Sequence, residues 1–242
     1  MQIISKTHCF TKERSQNMRN SMKTFVFLIS LIAYFIYLSI SSAFINAAIN
    51  TGNQTFAAMA IYIFSALGIL LLLYVQAALK YWYASKPLKN ATVHVTLPLG
   101  KFRLVDRVLV YLLPALGTLL PAIQARSLSA ITLQSLLFSI SLIIIIEILF
   151  YANIKTMKVY ITNKGLIIRG IDLRLEVPLP SNYRNPSGYF PFNRIITFVD
   201  LNDKLLVEQS YDLGNIVLQS DVETLKKIKA VFIANGIKQK KF

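Results

Sequence analysis

AITLQSLLFSISLIIIIEILFYANIKTMKVYIT, residues 130–162, changes character once, at Lys155. Up to Tyr151 the only charge is Glu147. At ~1.5 Å of rise per residue, such a run is long enough to cross a hydrocarbon core of roughly 30 Å. From Met157 the pattern becomes short, β-branched and alternating, which is the signature of a strand with one covered face. The chain therefore divides into an apolar helical part and a water-facing part, and the division falls at residue 155.

Outward from that point, three further apolar runs precede it. Residues 24–79 contain no Asp, Glu, Lys or Arg, and residues 108–154 contain only Arg126 and Glu147. This reading predicts an α-helical membrane bundle of four transmembrane helices, with spans at about 25–48, 56–79, 107–124 and 130–151, inside a domain 24–154. Residues 1–23 read as a basic arm, either a disordered segment or an extension upstream of a start at Met18 or Met22. Basic residues number five before the first span, none in the loop 49–55, six in 80–107 and only Arg126 between the third and fourth spans. Because Lys and Arg accumulate on cytoplasmic flanks, both termini are expected in the cytoplasm of a cell-membrane protein.

The net charge of +15 fits this reading. Basic flanks attract anionic headgroups. No basic helix or aromatic-interleaved strand set points to nucleic acid. The single cysteine, Cys9, excludes an internal disulfide and a multi-cysteine metal site. No phosphate-binding glycine loop, metal motif or catalytic triad is present, so no cofactor, no metal and no enzymatic activity is expected.

Residues 155–242 read as a small α+β domain. Strands are expected at 157–162, 166–170, 173–179, 193–201, 204–209 and 215–219. Tight turns are expected at Asn163-Lys164-Gly165 and Asn202-Asp203-Lys204. Pro178 and Pro180 would end a strand, and 181–191 reads as a long loop. Ser220 and Glu223 have capping-box spacing at the start of a final helix whose apolar face is Leu225, Ile228, Val231 and Phe232. Asn235-Gly236 ends it.

The segments VYITNKGLIIRG (159–170), FNRIITFVDLNDKLLVEQ (192–209) and GNIVLQSDVETLKKIKAVFIANG (214–236) resemble a bacterial pleckstrin-homology-like (PH-like) domain. Upstream, LPLGKFRLVDRVLVYLL (97–113) resembles the loop-to-helix entry of the YobD-like family of small bacterial inner-membrane proteins. The resemblance spans roughly residues 56–240. It implies an antiparallel PH-like sheet capped by one helix, and it carries over no catalytic residues and no phosphoinositide-binding pattern. This chain departs from the family by an added first helix and a longer 181–191 loop.

Two sets of residues are singled out. Glu147 is the one acid inside an expected span, with Tyr111 and Gln76 as its candidate hydrogen-bond partners; intramembrane carboxylates mark functional sites unless paired. Lys155, Lys158, Arg169, Arg174 and Arg194 are expected to form a basic face toward anionic inner-leaflet lipids or a protein partner, which would dock by strand addition at a sheet edge. The expected function is a non-enzymatic scaffold or envelope-associated sensor. The alternatives are a small transporter or accessory subunit using Glu147, and an immunity protein against a membrane-active peptide.

Overall fold

The computed structural model describes residues 3–100, 102–127, 131–177, 185–210 and 215–240. Helix α1 (Ile3–Asn50) runs without a break through the segment read as a basic arm. Asn53 caps α2 (Gln54–Lys89), its side chain accepting from the Phe56 amide at 3.1 Å. Helices α3 (Val108–Ala125) and α4 (Leu133–Ile154) follow, the latter capped by Thr132. Among the described residues, three helical segments are long and apolar enough to cross a membrane: Met22–Asn50, Thr55–Lys89 and Leu133–Ile154. They are compatible with association with a bilayer. In α3 the described apolar stretch is Val108–Gly117.

The helices pack in ways that hydropathy does not reveal. Gly68 lets α1 approach α2: a Cβ there would lie 3.0 Å from the rings of both Tyr34 and Tyr37. Small residues allow close helix contact where no hydrophobic force separates helix from lipid. Tyr37 then donates to the Phe64 carbonyl at 2.8 Å. Between α3 and α4, Ser139 donates to the Pro114 carbonyl at 2.8 Å.

Among the described residues, eight strands form two sheets. The first contains β1 (Val93–Pro98), β2 (Lys158–Thr162), β3 (Gly165–Arg169) and β4 (Gly188–Pro191), in that order and antiparallel. The second is ordered β7 (Asn215–Gln219), β6 (Lys204–Gln209), β5 (Ile195–Asp200), β8 (Lys238–Lys240), with β8 parallel to β5. Helix α5 (Val222–Ala234) buries Leu225, Ile228 and Phe232 against Phe198, with the Phe198 and Phe232 rings 5.5 Å apart. The helix ends in a Schellman motif. The Ile237 amide donates to the Phe232 carbonyl and the Gly236 amide to the Ile233 carbonyl, with Gly236 at φ +77°.

The sequence reading is corrected in several places. The sheet does not begin at residue 155. Its edge strand β1 comes from the 80–107 connection, before α3 and α4, and buries Leu97. The helical hairpin α3–α4 is thus inserted between two neighbouring strands. Part of the expected 181–191 loop is β4; Pro178, Pro180 and Arg184 lie outside the described residues. The N-cap of α5 is Asp221, accepting from the Thr224 amide at 2.8 Å, and not Ser220. Aspartate one position later satisfies the orphan Thr224 amide and adds a negative charge at the helix start.

Residues 173–177, the described part of the expected strand 173–179, do not form a strand either. Residues 171–177 form a buried, irregular stretch. Its backbone groups find side chains from α2 instead of a neighbouring strand, and those contacts build the site described next.

Candidate functional site

Helix α2 outlasts its apolar run. The charge-free stretch ends at Leu79, and the helix continues for ten residues from Lys80 to Lys89. The first sheet packs on α2 through β3 and β4, around the end of that run. Two side chains from α2 hold the 172–176 segment. The Gln76 carboxamide accepts from the Glu176 amide at 2.7 Å and donates to the Glu176 carbonyl at 3.2 Å. It also donates to Ser30 of α1 at 3.1 Å. Lys80 Nζ donates to the Arg174 carbonyl at 2.7 Å.

Buried charges complete the joint. The Arg174 guanidinium grips the Asp172 carboxylate with Nε at 2.9 Å and Nη2 at 2.8 Å, the bidentate geometry that strengthens such pairs. Its Nη2 also donates to the Asn185 carbonyl at 2.9 Å, and its Cζ lies 4.2 Å from the centroid of the Phe102 ring. Ser187 donates to Asp172 at 2.8 Å, and Lys80 lies 3.7 Å from the same carboxylate. Lys23 of α1 pairs with Glu176 at 3.1 Å. Burial alone would raise the Asp172 carboxyl. The charges of Arg174 and Lys80, with hydrogen bonds from Arg174 and Ser187, outweigh it and hold this carboxyl far below the usual carboxylate range.

Arg174 is therefore not a surface cation. Its side chain is 0% exposed, and its charge is used inside the protein. Arg194 is separated from the rest as well. It lines a pocket of about 200 Å³ between α1, α2 and β4, beside Lys23, Tyr83 and Tyr189.

The remaining three cations of the expected basic face do come together. Lys155, Lys158 and Arg169 line one cleft of about 680 Å³, whose opposite wall is Tyr74, Ala77, Ala78 and Tyr81 of α2. Those four positions follow the i, i+3, i+4, i+7 spacing of a single helix face. Arg169 stacks on Tyr81, with Cζ 4.3 Å from the ring centroid, and donates to its hydroxyl. Lys155 lies 4.7 Å from the centroid of the Tyr151 ring. No Asp or Glu lines this cleft among the described residues.

Glu147 meets one of its two expected partners. Its carboxylate accepts from Tyr111 and from Arg107, a partner that the sequence reading missed. Arg107 sits just before α3, one helical turn from Tyr111, which is the signal that would have found it. Gln76 is not part of this group, because Ser30 and Glu176 take its carboxamide. Among the described residues, no group of three His, Cys, Asp or Glu could hold a metal ion.

At the sheet edges, Asn185 blocks one route for a partner strand. Its side chain accepts from the Val217 amide at 2.6 Å and donates to the Val217 carbonyl at 2.9 Å, pairing both backbone groups at the middle of the outer edge of β7.

The chain matches no family model, no curated protein and no solved structure.

Proposed function

We propose that this protein is a multi-pass cell-membrane protein with four spans and cytoplasmic termini, in which a PH-like module is fixed against the inner leaflet as a non-enzymatic scaffold or sensor. The observation that carries this reading is the joint between α2 and residues 172–176. Helix α2 is 36 residues long, ~54 Å at 1.5 Å per residue, against a hydrocarbon core of roughly 30 Å. Its Lys80–Lys89 end stands out of the core as a short rod, and the first sheet is bolted to that rod. A domain held this way presents a constant face to the lipid surface, and any tilt of α2 is passed to the sheet.

One antiparallel sheet and a second, mixed sheet closed by α5 support the PH-like resemblance. The alternation of basic loops supports the four-span topology. Leaflet engagement is favoured over strand addition at β7 because Asn185 already pairs the Val217 backbone there, while three cations line one cleft beside α2 with no acid among its described residues. Glu147 has its carboxylate engaged by Arg107 and Tyr111, which supports a structural part for it and counts against the transport reading.

The test is amide hydrogen exchange on the full chain in nanodiscs of phosphatidylcholine, with and without phosphatidylglycerol. Protection over residues 155–170 is expected to rise when the anionic lipid is present. Exchange that is identical in the two lipids across the whole C-terminal region would overturn leaflet engagement.

A further inference from the structure

We propose that the cleft between α2 and the β2–β3 hairpin is a binding site for the phosphate of one anionic phospholipid, with Arg169 and Lys158 as its principal ligands and Lys155 at its rim. The proposal rests on the leaflet-facing reading and adds a site, a ligand chemistry and a stoichiometry to it.

Lys158 and Arg169 are direct cross-strand partners in the β2–β3 ladder. Like charges placed opposite each other destabilise an antiparallel pair. Elsewhere in this protein the buried cations have acids beside them: Lys80 and Arg174 share Asp172, and Lys23 has Glu176. Here two cations face each other, Lys155 lies nearby, and no carboxylate lines the space among the described residues. An anion in the cleft would turn the repulsion into attraction.

Arg169 is also oriented for that task. Stacking on Tyr81 and the bond to its hydroxyl fix the plane of the guanidinium. Its Nε is buried and bonds to nothing among the described residues. A planar fork with a donor to spare is the geometry that recognises phosphate.

The shape of the cleft selects a lipid over a free phosphate ester. Its wall of Tyr74, Ala77, Ala78 and Tyr81 straddles the end of the charge-free run at Leu79, so it continues without a step into the apolar face of α2. Two alanines leave room beside the helix for glycerol and the first acyl carbons. Two tyrosines stand where interfacial aromatics anchor headgroups. The volume of about 680 Å³ suits an organic headgroup better than a bare ion.

The experiment is native mass spectrometry of the full chain released from mixed phosphatidylcholine–phosphatidylglycerol nanodiscs. Wild type is expected to retain one phosphatidylglycerol in preference to phosphatidylcholine. Lys158→Gln/Arg169→Gln should reduce that retention by about tenfold or more, since each cation near the surface contributes on the order of 1 kcal/mol. Lys226→Gln, on α5, should leave it unchanged. Lys158→Gln alone, at an exposed position, should give a smaller loss and keeps the test decisive if the double variant folds poorly. Equal retention by wild type and both cleft variants would overturn the site while leaving lipid-dependent exchange protection, and so the leaflet reading, intact. Retention with no preference for the anionic lipid would overturn the ligand chemistry. Displacement of the lipid by equimolar glycerol phosphate would overturn the lipid as the source of that phosphate.

Discussion

Gln76 and Glu176 lie one hundred residues apart, yet the carboxamide of the first pairs with both the amide and the carbonyl of the second. A side chain on an apolar helix thereby does what a neighbouring strand would do. Gln76→Leu should strand both backbone groups of Glu176, at roughly 1–3 kcal/mol for each buried group left unpaired. Amide exchange over residues 171–177 should quicken while α5 exchanges as before. Unchanged protection at Glu176 would show that the joint does not depend on Gln76.

The buried charges around Asp172 should respond unequally to single and joint replacement. Asp172→Asn leaves Arg174 and Lys80 without their shared carboxylate and should cost about 3–5 kcal/mol. Replacing all three together by Lys80→Met, Asp172→Leu and Arg174→Met should recover part of that loss, because no charge is then left unpaired although the Arg174 and Asn185 carbonyls lose their donors. Thermal melts of the purified full chain measure both. A triple variant as unstable as Asp172→Asn would contradict this account.

The same carboxylate sets an acid limit. Its folded-state pKa is depressed, so its contribution is fully present above the unfolded value of about 3.9 and is lost as pH falls through the folded value. The wild-type melting temperature should therefore carry this contribution undiminished from neutral pH down to about 5, and lose it only below about 4. Asp172→Asn should fall less steeply than wild type in that acid range. Parallel curves for the two proteins would remove Asp172 as the cause.

A fragment limited to residues 155–242 lacks β1 and leaves the β2 edge open. It should aggregate or melt without cooperativity, since an unpaired edge strand invites association. Joining residues 91–99 to its N-terminus through a glycine-serine linker should restore a cooperative transition. Equal melts with and without the added strand would make β1 dispensable.

Glu147→Gln keeps the shape of the side chain and can still accept from Tyr111 and Arg107. Glu147→Leu removes the partner of Arg107, a half-exposed pair worth about 1 kcal/mol or less. Both variants should reach normal levels in the membrane and melt close to wild type. A loss of vesicle ion flux specific to Glu147→Gln, with the fold intact, would restore the transport reading.

Reporter fusions test the spans. Alkaline phosphatase should be active at residues 52 and 127 and inactive at 92 and 242. Activity at 92 would place the whole sheet outside the cytoplasm and remove the inner leaflet as its surface.

Features that depend on local pattern were legible in the residues alone. Charge-free runs set the apolar helices, and β6 falls on 204–209 as alternation predicts. Asn163-Lys164 makes the tight turn before Gly165, and Asn235-Gly236 ends α5. Lys155, Lys158 and Arg169 could be singled out from composition at the end of the last apolar run. Which of the basic residues is a surface cation depends on long-range packing. Arg174 is as basic as Arg169 in the sequence, but Asp172, Asn185 and Phe102 enclose it, and no spacing rule places Phe102 there. Nor does alternation in 173–179 reveal that its backbone partners are Gln76 and Lys80 rather than a strand. The same holds for β1, which reads as part of a connecting loop until β2, some sixty residues later, supplies its hydrogen bonds. Periodicity reports which face of an element is covered, while the identity of what covers it is settled by contacts between residues far apart in the chain.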